Sequence, residues 1–334
     1  MSINSEKTLN MKQSTGLAFI YVFVGVIATT FFFNFSTVPY TQNSGNNPEE
    51  KNSASFTTKR IPEKYGVISV EIPGELEFAG EKVPLTNFEI RESLERELTV
   101  NTYWQSQTLL LLKRAPRYFS IIEPILKEEG VPDDFKYVAV AESGLIDRAL
   151  SPVKAAGIWQ FMHSTGREYG LIVNSEVDER YHLEKATRAA CKYFRKHHKS
   201  YGNWTIVAAA YNAGKNGINK QIKRQKENNY YDLLLGEETG RYLFRILSYK
   251  VIFTNPENYG FYLKKEDIYP VIPTKEVTIS TSVNDFADFA SKHGINYKIL
   301  KFFNPWLRQT NLTLKTGETY LVKIPEKGYR NFDN

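Results

Sequence analysis

The sequence predicts a mainly α protein with a small α+β module of βααβ order at its C-terminal end. Two observations carry this. From Glu89 to Phe253 the apolar residues recur at helical spacing, with no alternating repeat that would mark a sheet. Past Pro270 the texture changes to strand, helix, helix, strand over about fifty residues, in the lower size range of independent domains.

Composition sets outer limits. The chain has 334 residues, 42% hydrophobic and 24% charged, as expected of a globular protein with room for two domains. A net charge of +6 favours anionic partners. No long Lys/Arg run interleaves with aromatics, so nucleic acid is not the expected partner. A single cysteine, Cys191, excludes an internal disulfide framework, and its setting in ATRAACKYF reads as a buried helix position. The five histidines show no metal-ligand spacing, so neither metal nor cofactor is expected. His197 and His198, in a basic run, read as a solvated face.

The elements follow in order. Residues 16–33 are uncharged and strongly apolar, near the lower limit for spanning a bilayer. Lys7 and Lys12 precede them, which orients residues 1–36 as a cytoplasmic tail and membrane anchor and sends the remainder across the membrane. A cleaved signal peptide is the rival reading, disfavoured because the run ends in FFFNF without a small-residue cleavage site. Residues 37–60, rich in Asn, Ser, Thr and Pro, read as a flexible linker. Extended segments and turns are expected over 61–88. Beyond them lie the apolar faces marked by Ile90, Leu94 and Leu98 and by 109–112, then a helix over 117–129 closed by Gly130 and Pro132. Asp133 is expected to cap a helix that ends at Ser143 before Gly144. Further helices are expected near 157–169, 183–197, 204–210, 217–226 and 238–253. The first domain so defined is 61–270. In the second, 274–326, strands are expected at 277–280 and 320–324 and helices at 283–293 and 297–302.

The candidate site starts from Glu142. It sits in the last turn of its helix, where the macrodipole disfavours a negative charge, and its helical neighbours Val138 and Ala139 are apolar. Both effects raise a carboxylic acid pKa and suit a general acid. Ser143 is placed to hydrogen-bond the carboxyl or fix its orientation. Position alone favours a plainer reading, an exposed helix-end glutamate. Two further segments shift the balance. GIWQF, at 157–161, sets the polar Gln160 in an apolar helical start, where it offers both donor and acceptor to a sugar. AAAYNAG, at 208–214, presents Tyr211 and Asn212 at a tightly packed helix end.

These elements, in this order, resemble the soluble-lytic-transglycosylase family, whose fold is related to goose-type lysozyme. The resemblance covers about 131–253: ES at Glu142–Ser143, GIWQF for the family's GLMQ-type element, AYNAG at 210–214, and ETGRYLFRIL around Tyr242. The STGREYGL and VDER stretches look most like the membrane-bound lytic murein transglycosylase D subgroup, with Val153-Lys154 departing from it. The resemblance implies a lysozyme-like catalytic domain acting on peptidoglycan glycan strands in the periplasm. Glu142 would protonate the β-1,4 link between N-acetylmuramic acid and N-acetylglucosamine. The muramic acid 6-hydroxyl would then close a 1,6-anhydro ring. Ser143, Gln160, Tyr211, Asn212 and Tyr242 would bind the glycan or position Glu142. An ordinary glycosidase needs two flanking carboxylates. Asp147, read as solvated, and Asp178 and Glu179, read as holding loop structure, offer no second one. The alternatives are a muramidase that uses water and a non-catalytic wall-binding protein.

The tail resembles a LysM-like glycan-binding module ending in LVKIP, with SVNDF in place of the usual GDTL helix start. Phe302, Phe303 and Trp306 read as its core. The sequence points to no protein partner.

Overall fold

The computed structural model describes residues 67–330. The expected anchor at 16–33 and linker at 37–60 lie outside them. Among the described residues no helix is long and apolar enough to cross a membrane.

A two-residue hairpin, β1 (Glu77–Phe78) and β2 (Glu81–Lys82), leads into α1 (Phe88–Tyr103) and α2 (Gln105–Glu128). Helix α2 begins twelve residues before the expected start at 117, carrying Pro116 and Pro124 inside it. A proline there removes a backbone hydrogen bond. Burial of Leu111, Leu112, Ala115, Phe119 and Ile122 along one face outweighs that local cost.

Asp133 does not cap a helix. It lies inside a single 3-10 turn, Asp133–Phe135, and forms an ion pair with Lys136. The turn runs into the short α3 (Lys136–Ser143), whose Tyr137, Val138, Ala139 and Val140 are buried. Gly144 ends α3 in the left-handed region at φ 61°, and its N–H donates to the Val140 carbonyl at 2.9 Å.

No helix opens at Gly157. Residues 145–162 form a folded loop of turns, with isolated bridges between Leu150 and Ala156 and between Ala156 and Phe161, and α4 spans only His163–Glu168. The apolar run that suggested a helix is instead buried around the indole of Trp159, which is fully enclosed and donates to Thr187 Oγ1 at 2.9 Å.

Helices α5 (Leu183–Tyr201), α6 (Trp204–Ala213), α7 (Lys215–Gln225) and α8 (Glu237–Thr254) complete the bundle. Helix α8 packs on α1, α3 and α6. The alanines of α6, fully buried from Ala208 to Ala210, permit that close approach. His197 is buried rather than solvated, and His198 stacks on Trp204 with ring centroids 3.8 Å apart. Cys191 is fully buried on α5, and burial pushes its thiol up to about 12. Glu97, buried on α1, accepts from Arg241 Nε of α8 at 2.8 Å, an inter-helix pair that no periodicity announces.

The core centres on Phe135. Its ring lies 5.3 Å from Phe78, 4.4 Å from Phe194 and 5.2 Å from Trp204, so one residue joins the hairpin, α5 and α6. Phe135→Ala is expected to cost about 3–5 kcal/mol, measured as a lower midpoint in urea unfolding.

The C-terminal module pairs β3 (Thr274–Ile279) antiparallel with β4 (Tyr320–Pro325), Thr274 opposite Pro325 and Ile279 opposite Tyr320. Helices α9 (Phe286–Lys292) and α10 (Tyr297–Phe303) connect them in sequence, and α10 packs on α9 and β4. Asn304 stops α10. Its buried side chain donates to Leu300 O and Lys323 O and accepts from Lys323 N, tying the helix end to β4. Trp306 belongs to the core, whereas Phe302 is 43% exposed and does not. The bundle and the module belong to one compact unit.

Candidate active site

The C-terminal end of α3 brings Glu142 against α8. Tyr242, fully buried on α8, donates its hydroxyl to Glu142 Oε1 at 2.5 Å. Burial raises the Glu142 pKa from 4.5 to about 7. The Tyr242 hydrogen bond and the Arg245 guanidinium pull the other way, and the Glu238 charge adds slightly to the rise. At neutral pH the carboxyl is therefore poised between donor and acceptor states, as acid–base exchange on one group requires.

Tyr211 stands nearby on α6. Burial, followed by the Glu142 charge, holds its phenol well above the ordinary value. Its hydroxyl donates to the Trp159 carbonyl at 2.6 Å, so the helix end carrying AYNAG is tied to the turn carrying Gln160. Asn212 accepts from Thr239 Oγ1 of α8 at 2.9 Å. Three separate chain segments thus converge, 157–161, α6 and α8, around the end of α3.

Gln160 sits at φ 48°, in the left-handed region uncommon for a side-chain-bearing residue. Its Nε2 donates to the Gly157 carbonyl at 2.8 Å. Ser143 does not touch the carboxyl: its Oγ donates back to the Ala139 carbonyl at 3.1 Å, the local bond that helical serines commonly make. Gly144 is held on its other side by Arg114, whose Nη1 donates to its carbonyl at 3.1 Å.

Three of the remaining acids near the motif are paired with cations. Asp178 pairs with Arg180 in a buried bridge at 2.7 Å, and Glu179 accepts from the Ile172 N–H and pairs with Lys185. Glu238 is held by Arg245 at 2.9 and 3.3 Å, which lowers its pKa. Asp147 is not simply solvated: it is partly buried, and that burial raises its pKa. Among the described residues no three His, Cys, Asp or Glu side chains converge as a metal ion requires.

Sequence reasoning did not find Arg245, which biases Glu142 and pairs with Glu238, or Thr239, which holds Asn212. Both lie on α8 close to Tyr242, one turn apart from it or less. Helical spacing from Tyr242 was the available signal.

Tyr242→Phe removes the hydrogen bond that favours the charged form of Glu142. The Glu142 pKa is then expected to rise above about 7. A general acid works while protonated, so the alkaline limb of the kcat–pH profile should move to higher pH. Turnover at the optimum should fall about tenfold. Lower turnover with an unmoved limb would contradict the coupling.

Residues 119–234 match the Transglycosylase SLT domain, and residues 275–328 match the Soluble lytic transglycosylase C-terminal LysM-like domain. The membrane-bound lytic murein transglycosylase D proteins of two Escherichia coli strains are each 31% identical over 246 residues, 72% of this chain and 52% of theirs. The chain thus spans about half the length of the curated relatives it matches. An X-ray structure of an inactive mutant of lytic transglycosylase Slt from Pseudomonas aeruginosa aligns at 22% identity and a TM-score of 0.33, covering 46% of this chain and 26% of that one. The chain carries a transglycosylase SLT domain followed by a LysM-like C-terminal domain, and is homologous to membrane-bound lytic murein transglycosylase D.

Proposed function

We propose that this protein is a peptidoglycan lytic transglycosylase. It cleaves the β-1,4 bond from N-acetylmuramic acid to N-acetylglucosamine and leaves 1,6-anhydromuramic ends. The observation that carries the reading is the state of Glu142, a carboxyl with its pKa raised to about 7, hydrogen-bonded by Tyr242, with Asp178 paired to Arg180 and Glu238 to Arg245.

In this mechanism the protonated Glu142 gives its proton to the glycosidic oxygen as the bond to C1 breaks. The N-acetylglucosamine side leaves as an alcohol. The substrate's own N-acetyl carbonyl supports the positive charge at C1. Glu142, now a carboxylate, takes the proton of the muramic acid 6-hydroxyl, whose oxygen bonds to C1. The enzyme ends in its starting protonation state and no water is consumed. One carboxyl working twice needs a pKa near neutrality, whereas a two-carboxylate hydrolase needs a second free acid. Gln160, Tyr211 and Asn212 would contact the glycan, and Tyr242 would orient Glu142. Ser143 would act only through the helix end.

We assign residues 61–270 to catalysis and 274–326 to the LysM-like module. We place the working part on the periplasmic side of the membrane, with 16–33 as its anchor. The uncharged run and the preceding Lys7 and Lys12 support that placement. Mass spectrometry of digested peptidoglycan tests the chemistry. Anhydro-ended muropeptides are expected, and reducing ends without anhydro species would make the enzyme a muramidase.

A further inference from the structure

The C-terminal module is fastened to one strap of the catalytic part, residues 174–182. The Asp178 N–H donates to the Trp306 carbonyl at 2.9 Å, and the Arg308 N–H donates to the Glu176 carbonyl at 2.7 Å. Val177 bridges Leu307. The Glu176 carboxylate is the clasp. It accepts from the Thr313 N–H at 2.7 Å, from Thr313 Oγ1 at 3.0 Å and from Asn311 Nδ2 at 3.2 Å. Val177, Tyr181 and Ala156 are buried in the same apolar cluster as Phe286, Leu300 and Trp306 of the module.

The other edge of the strap holds the turn that carries Gln160. Asp178 fixes the Arg180 guanidinium at 2.7 and 2.9 Å, and Arg180 Nη1 donates to the carbonyls of Lys154 and Phe161, at 2.8 and 3.1 Å. The Arg180 carbonyl lies directly over Gly157. A side-chain-bearing residue at positive φ, such as Gln160, persists only where its surroundings over-determine it. The strap supplies that constraint, and the module holds the strap.

We propose that the LysM-like module is a brace for the active site, with Glu176 as a positioning residue that acts through the 154–161 turn upon Gln160. The proposal rests on the transglycosylase reading above. It differs from a module that merely tethers the enzyme to glycan, because the segment ahead of β4 that meets the strap is committed to the catalytic part.

The test uses the full chain and a coupling measurement. Glu176→Ala should lower kcat/KM on glycan strands about tenfold, well below its own melting midpoint. Glu176→Gln keeps one acceptor oxygen and should recover to within about twofold of the parent. In a Gln160→Ala background, Glu176→Ala should have little further effect, since two residues acting through one element are not additive. An unchanged kcat/KM in folded Glu176→Ala overturns the proposal. So does a loss that is the same size with and without Gln160, which would mark ordinary stability. If the parent enzyme releases no anhydro product, it is the transglycosylase reading that fails.

Discussion

Glu142→Gln is expected to lower kcat by roughly 10³-fold while leaving the fold intact. The amide keeps the size of the acid and can still accept from Tyr242, but it has no proton to give at the required pKa. A second readout separates chemistry from folding. The folded-state pKa of Glu142 is raised from 4.5 to about 7, so between those values the folded chain holds more protons than the unfolded one. Stability carried by that proton is therefore complete below pH 4.5 and is lost as pH rises through about 7. A difference of that size corresponds to about 3 kcal/mol. The Gln side chain, always neutral, escapes this loss. The variant should melt higher than the parent at pH 8 and nearly level with it at pH 4.5. Retained turnover would remove Glu142 from the chemistry. A stability difference independent of pH would mean that the carboxyl is not held in the desolvated state described above.

Gly157→Ala is expected to have the second largest effect. A Cβ at this position would lie 1.9 Å from the Arg180 carbonyl oxygen, and the residue already stands at φ 76°. Neither the turn nor the strap can absorb that contact without moving, because Arg180 is held by Asp178 and the strap by the module. Overpacking of this kind costs about 1–3 kcal/mol, and the left-handed backbone adds about 1 kcal/mol or more. The displaced turn carries Gln160 and the Trp159 carbonyl that anchors Tyr211. A shift of about 1 Å there should reduce kcat/KM by roughly 10²-fold. The checks are thermal unfolding and turnover on purified glycan strands. A variant with normal activity would show that this turn does not position the site.

Much of the architecture is legible in the sequence. The helical periodicity located α5, α6, α8 and the two module helices to within a few residues, because each pairs apolar positions at helical spacing with clear stop signals. Two expectations differ from the fold. A helix is expected from Arg117, yet α2 starts at Gln105 and runs through Pro116, since an apolar face buried from Leu111 to Leu126 outweighs the missing hydrogen bond. GIWQF read as a helix, yet it is a turn, since a short apolar run is equally compatible with any buried conformation.

At the site, the sequence by itself nominated the candidate groups. An acid at the end of an apolar helix and two ordered polar elements are local facts of residue type and spacing. Tertiary structure alone decided their physical state. The hydrogen bond to Glu142 comes from Tyr242, a hundred residues away, and not from the adjacent Ser143. Asp147 is partly withdrawn from solvent by the fold around it. The turn carrying Gln160 is held by a strap that the C-terminal module grips. A chain of residues specifies which side chains exist and how near neighbours can bond. Desolvation and long-range hydrogen bonding depend on what the rest of the fold brings to the same place, and these raise the pKa of Glu142 from 4.5 to about 7 and hold the carboxyl against α8.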